Sequence, residues 1–215
     1  MKLAKPEIEV KVSDVSTEEM ILRAAENEFM LKGFAGAKTT SIAEAAGVTH
    51  AMLHYYFRTK EKLFEKIISN KLELLQEIIL GSLSQSDRPF LDRLRSAIEQ
   101  HLEFLATVPA LPRFIINIVA ERPELESMIR DRILSKASVI IPALQEQIDE
   151  SARRGDCRHV EARTLLLDII SLNLFSFVAM PLINIALDNM MEDMETFVEN
   201  RKKDNVDTIM RKLRP

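Results

Sequence analysis

Glycine and cysteine are scarce in this chain of 215 residues, which holds five Gly and one Cys. The lone cysteine, Cys157, cannot close an intrachain disulfide and fits a reducing compartment. No Gly-rich phosphate loop, no GxSxG elbow and no HExxH pair occurs, so the usual sequence marks of nucleotide-binding, serine-hydrolase and zinc-protease chemistry are missing. The expectation is a non-enzyme without a cofactor. No alternating apolar–polar run is bounded by turn signals, which leaves no convincing strand and makes an all-α chain the expected fold class. Internal repeats and long low-complexity segments are absent too. The N-terminus lacks a basic segment followed by an apolar run: Met1 to Ser16 interleaves Lys2, Lys5 and Lys11 with Glu7, Glu9 and Asp14, so an ordinary signal peptide is not expected. The reading is of a cytoplasmic protein.

Against these absences stands a hydrophobic content of 47%, enough for a substantial core. Ser16 and Glu19 make a capping box, with Val15 and Met20 as a hydrophobic staple, and Ile21, Ala24, Ala25 and Phe29 then recur on one helical face that ends near Gly33. Residues 1–15 read as a mobile tail. Thr59 caps a later helix that runs to Gly81, a natural stop. Pro89, Pro112 and Pro123 open further helices, Pro142 falls inside a long one, and the chain closes with a helix from about Glu192 to Leu213. About nine helices result. The stretch Thr164 to Leu187 is long enough to span a bilayer, but it carries Asp168, Asn173, Pro181 and Asn184. It reads as a buried helix of a bundle or dimer seam, and no membrane partner is expected.

The most informative segment is TTSIAEAAGVTHAMLHYYFR, from Thr39 to Arg58. Counted from Thr39, Ile42, Ala43, Ala46, Val48, Leu53 and Tyr56 fall at places four, five, eight, ten, fifteen and eighteen, with Gly47 at nine. Two short helices crossing steeply through a tight turn need this spacing: a small residue where the second helix crosses, and a glycine where the turn requires positive φ. The pattern is that of a helix-turn-helix, whose second helix enters the DNA major groove. Formal net charge is −4, yet between Phe29 and Lys60 the cations Lys32, Lys38, Arg58 and Lys60 face one anion, Glu44. A local basic footprint on an acidic chain suits a compact DNA reader. His50 and His54, one helical turn apart, could instead chelate a metal. Their place on the groove-facing helix favours DNA contact, and no metal is expected.

Together with ILRAA…F…KGF before it and KEKLF after it, this segment resembles the N-terminal domain of the tetracycline-repressor (TetR) family. The resemblance implies a homodimeric transcription regulator, most often a repressor, with a DNA-binding domain at 16–60 and an effector-binding and dimerisation domain at 61–215. In the family a small molecule bound in the body moves the two DNA-reading heads apart and releases a double-stranded operator. Carried onto this chain, the resemblance assigns Thr39, Thr49, Tyr55 and Lys60 to the phosphate backbone. Thr40 takes a place that reaches a base edge. Thr39 and Thr40 could each be a helix cap instead, and Tyr56 is either a phosphate contact or core. Lys38 replaces the usual Thr or Ser; it can add a phosphate contact and leaves the capping of the second helix open. His50, Ala51, Met52 and His54 stand where the family commonly has Lys, Gly, Thr and Tyr, and are expected to face the groove.

The body carries no motif for its ligand. By composition, Phe104, Phe114, Met128, Phe175 and Phe177, with His101, Asn117 and Asn173 as polar partners, are the candidate pocket residues, each with ordinary core as the alternative. They point to an apolar or amphipathic effector. Leu165, Leu166, Ile169, Leu172, Ile183 and Leu187 are the expected homodimer seam. The rival to a DNA-binding regulator is a helical interaction protein that keeps the fold without specific DNA binding.

Overall fold

A computed structural model describes residues 16–85, 87–186 and 193–215. The tail before Ser16, Val15 of the expected staple, Leu187 of the expected seam and the turn at Asp188-Asn189 lie outside them. Among the described residues there are ten α-helices and no strand: α1 Thr17–Gly36, α2 Thr39–Ala45, α3 His50–Phe57, α4 Lys60–Leu83, α5 Phe90–Thr107, α6 Leu111–Glu121, α7 Pro123–Arg153, α8 Ala162–Val178, α9 Met180–Ala186 and α10 Met194–Leu213. They form two compact units, divided between Leu63 and Phe64 inside α4.

In the first unit, α1 begins with a reciprocal capping box. The Ser16 hydroxyl accepts from Glu19 N–H at 3.2 Å, and the Glu19 carboxylate accepts from Ser16 N–H at 3.0 Å. The helix is interrupted where glycine permits: Gly33 adopts φ 68° and ψ 171°, and Ala37 N–H returns to Gly33 C=O at 3.2 Å. The core of the unit is Ile21, Ala25, Phe29, Ile42, Ala43 and Leu53, all essentially inaccessible to water. Gly47 supplies the turn between α2 and α3 with φ 67°. Nothing lies within 4 Å of the position a Cβ would take there, so the requirement for glycine is one of backbone conformation rather than space. An L side chain in this region costs roughly 1–2 kcal/mol.

The second unit is built on two apolar clusters. The larger joins α4, α5, α7, α8 and α10 through Leu94, Ile98, Leu144, Ile148, Leu165 and Val206. Cys157 is buried in it. The smaller gathers Leu102, Phe104, Leu105, Phe177, Phe197 and Val198, with the Phe177 and Phe197 rings edge-on at 6.4 Å. α4 does not stop at Gly81. It runs on to Leu83, because Leu83 is buried and the Ser82 hydroxyl donates to Ile78 C=O at 2.9 Å, which holds the last turn closed. The long α7 continues through Pro142. The tenth helix comes from a break in the apolar stretch after residue 164. Pro181 has no N–H with which to continue the ladder of α8, which ends at Val178. α9 restarts with Leu182 and Ile183 N–H both on Ala179 C=O, and the two axes bend by 71°. No single helix among the described residues is long and apolar enough to cross a membrane, although this bent pair and the α5–α6 pair together have sufficient length and apolarity.

Candidate nucleic-acid interface and ligand cavity

α3 is only eight residues long, and two of its side chains fix its orientation: Leu53 and Phe57 are buried, while His50, Ala51, Met52, His54, Tyr55 and Tyr56 are exposed. Its N-terminus is capped by Thr49, whose hydroxyl accepts from Met52 N–H at 3.2 Å. Tyr55 is 83% exposed, with its ring edge-on to Tyr56 at 5.5 Å. Tyr56 is 42% exposed, so the inward-facing aromatic of the segment is Phe57 and not Tyr56. The reason is register: Phe57 follows Leu53 by four residues, one turn along the same face.

The two exposed histidines of α3 are held by specific partners. His50 Nε2 lies 2.9 Å from the Thr39 hydroxyl, which ties α3 to the first residue of α2. His54 Nδ1 donates to Arg58 C=O at 2.9 Å, and Arg58 N–H donates back to His54 C=O at 2.9 Å. The two rings meet edge to face at 4.4 Å. One nitrogen of each ring is therefore already engaged. Among the described residues no group of three His, Cys, Asp or Glu side chains has a metal-binding arrangement.

α2 begins without a side-chain cap. Lys38 is its N-cap and makes no capping bond, and Thr39 and Thr40 are its first two residues, so neither threonine is the cap. The start of α2 is held instead from α1: Glu28 accepts from Lys38 N–H at 3.2 Å and pairs with Lys32 Nζ at 2.8 Å. The hydrogen bond from Lys32, above all, keeps the Glu28 carboxyl below the usual carboxylate range. Lys32 is thereby neutralised by an anion just outside the basic window. Lys60 also differs from the side-chain role expected of it. Its Nζ donates to Ala37 C=O at 2.9 Å and sits 4.7 Å from the centre of the Phe34 ring, so its ammonium is turned onto its own unit. As the first residue of α4 it still presents a backbone N–H that has no intrahelical acceptor. The exposed cations that remain are Lys38 and Arg58. Arg58 enters the sequence reading only as a charge. It ends α3 at φ 49°, a left-handed conformation uncommon for arginine, and the signal available in the sequence was a cation directly after the aromatic run.

In the second unit an apolar cavity of about 240 Å³ is lined by α4, α5, α7 and α8. Of the eight expected pocket residues only His101 borders it. Phe104 and Phe177 pack in the smaller core cluster, and Phe114 stacks edge-on against Phe64 at 5.7 Å. Phe175 is 63% exposed, Asn117 is exposed and Met128 is half-buried. Composition favours large aromatics, whereas this cavity is walled by aliphatic residues such as Leu72, Leu75, Ile140, Leu166 and Leu174. Asn173 lies one layer behind it. Its Nδ2 donates to Ile98 C=O at 3.0 Å and approaches His101 Nδ1 at 3.2 Å, while its Oδ1 accepts from Asn205 Nδ2 at 2.8 Å.

The residues expected at the seam lie mostly on the inward face. Leu165 and Ile169 are buried in the larger core, and Leu166 lines the cavity. Leu172 and Ile183 are half-buried. The apolar residues that α8 and α9 present to solvent are Leu167, Ile170, Phe175, Leu182 and Ile185, on the opposite face. Periodicity alone could not tell the two apolar faces of α8 apart, because both are apolar.

Residues 21–67 match the family model described as bacterial regulatory proteins, tetR family. The chain is 27% identical over 151 residues to the HTH-type transcriptional regulator YdgC of Bacillus subtilis (strain 168), covering 68% of this chain and 71% of that protein. It is 29% identical over 150 residues to the HTH-type transcriptional repressor BepR of Brucella suis biovar 1 (strain 1330), with the same coverage. Residues 21–67 thus carry the family's N-terminal domain, and the chain as a whole is similar to TetR-family transcriptional regulators. The fold also matches that of the fatty acid degradation regulator FadR from Bacillus halodurans, with a TM-score of 0.63 at 18% identity over 90% of this chain and 96% of that one.

His101 gives the regulator a definite pH response. Burial pushes its pKa down from 6.5 to about 4, so the folded protein holds it neutral where the unfolded chain is protonated. Stability contributed by the neutral form is fully present above pH 6.5 and is lost as pH falls towards 4. Between pH 7 and 4.5 the loss amounts to roughly 2–3 kcal/mol. Urea unfolding of the native protein and of His101→Gln at both pH values should show this difference between them. Parallel pH profiles would contradict it.

Proposed function

We propose that this DNA-binding regulator acts as a homodimeric repressor, released from its operator when a small apolar molecule fills the cavity of the second unit. The observation that carries the DNA half of this reading is the exposed face of α3, where six of eight side chains stand clear of the core around a capped N-terminus. Tyr55 and Thr49, with Lys38 and Thr39 at the start of α2, hold phosphates by hydroxyl and ammonium contacts. Lys60 contributes through its backbone N–H at the start of α4, where free amides favour an anion. His50, Ala51, Met52 and His54 face base edges, with Met52 and Ala51 suited to a thymine methyl and His50 to guanine or phosphate. Arg58 joins the phosphate contacts. In helix-turn-helix dimers half-sites lie roughly 34 Å apart, or a multiple of that distance.

The effector half rests on an apolar cavity lined by α4, α5, α7 and α8 of the second unit, and the dimer half on the exposed stripe Leu167, Ile170, Phe175, Leu182 and Ile185. A stripe of this kind marks an interaction surface, and a second copy is the partner that the family implies.

Binding to a fragment selected from genomic DNA separates the phosphate contacts. Tyr55→Phe should weaken binding about tenfold on specific and random DNA alike. Lys38→Ala should lower the salt slope by about one. Unchanged affinity in both variants would remove their phosphate role. Sedimentation at micromolar concentration should give a dimer for the native chain and a folded monomer for Phe175→Glu with Leu182→Glu. A monomeric native chain would refute the seam.

A further inference from the structure

The cavity is almost wholly aliphatic, and its polar residues are His101 and Lys136. His101 is 6% exposed, and its environment decides which ring nitrogen carries the proton. Asn173 Nδ2 faces Ile98 C=O. The reverse amide orientation would set two oxygens against each other, so the NH2 group must point this way. The same NH2 group meets His101 Nδ1, which must therefore accept. Asn205 fixes Asn173 from behind by donating to its Oδ1. A neutral imidazole that accepts at Nδ1 carries its proton on Nε2. Among the described residues nothing accepts from that N–H. Lys136, half-exposed on α7, makes no ion pair among them either.

We propose that the effector is a neutral, largely apolar molecule with one acceptor oxygen of carbonyl type, received by the Nε2–H of His101. This rests on the reading of the cavity as the effector site and names the chemistry of that site. An uncharged donor among aliphatic walls offers little to a carboxylate, whose desolvation it cannot offset. A carbonyl oxygen loses far less on burial and recovers one good hydrogen bond. The size is also bounded: a cavity of ~150 Å³ takes benzene, so about 240 Å³ suits a molecule of about ten heavy atoms. The relay runs from α10 through α8 to α5, so the donor is oriented before any ligand arrives.

The test uses propiophenone, its hydrocarbon shape-match sec-butylbenzene, and 3-phenylpropanoate as the charged counterpart. Their binding to the full-length protein at pH 7 is measured by calorimetry and by 15N-histidine NMR. The expected result is an Nε2–H tautomer for His101 in the free protein and a shift of its Nε2 resonance with propiophenone but not with sec-butylbenzene. His101→Phe should weaken propiophenone about tenfold relative to sec-butylbenzene, and His101→Gln, which keeps an N–H donor, should recover part of that loss. An Nδ1–H tautomer would overturn the proposal, as would a ketone-to-hydrocarbon ratio indifferent to His101→Phe; either leaves the cavity reading intact if the hydrocarbon binds. Tighter binding of 3-phenylpropanoate that ignores His101→Phe would move recognition to Lys136 and overturn it as well. If none of the three compounds binds, the cavity reading falls along with the proposal. The NMR arm needs no variant, so a misfolded His101→Phe does not protect the idea.

Discussion

Three side chains and one carbonyl in the second unit constrain everything around them: Asn205 on α10, Asn173 on α8, His101 on α5 and the backbone of Ile98. All three side chains are buried, and polar groups at such depth are costly unless bonded. Their bonds are directional, so they set the register of three helices that otherwise meet through interchangeable aliphatic contacts. Among the described residues Asn205 Oδ1, at the α10 end of the relay, has no hydrogen-bond partner, and the His101 Nε2–H at the other end has no acceptor either. Apolar packing among Leu94, Leu144, Leu165 and Val206 supplies the greater part of the burial energy, but it tolerates sliding in a way the amides do not. Hydrophobic burial makes this bundle stable; the relay makes it specific.

The first unit solves a different problem with different means. Its helix α3, of eight residues, is too short to be stable by itself. It persists because Leu53 and Phe57 anchor it, Thr49 caps it and Gly47 permits the tight entry. Around that anchor the chain ties its loose ends with polar contacts between neighbouring elements: Glu28 to the start of α2, Thr39 to His50, Lys60 to Ala37. Lys60 shows how such contacts redistribute function. A side chain expected on DNA serves the unit itself, and the exposed positive charge falls to Lys38 and Arg58.

What could be read from the sequence follows from how local each signal is. The capping box at Ser16, the turn at Gly47 and the initiating prolines were legible because each depends on a few adjacent residues. Tyr56 stood open between phosphate contact and core, because it shares the apolar spacing that includes Leu53, whereas Phe57, four residues after Leu53, takes the buried place. Gly81 suggested a stop that Ser82 and Leu83 override through contacts with distant residues. The cavity and the seam were least legible. α8 is apolar around most of its circumference, so the face that packs inside, Leu165 and Ile169, cannot be told from the face left outside, Leu167 and Phe175, without the neighbouring helices. His101 was recognisable as a polar residue in an apolar helix, but the relay that fixes its tautomer joins residues more than thirty positions apart.

A regulator of this kind stands or falls on the coupling between its two sites, and that coupling must be reciprocal. The most direct measurement is the affinity for a selected genomic DNA fragment at increasing propiophenone, paired with the affinity for propiophenone with and without saturating DNA. The account predicts that each ligand weakens the other by the same factor. Affinities that are independent of one another, with both ligands bound, would contradict it.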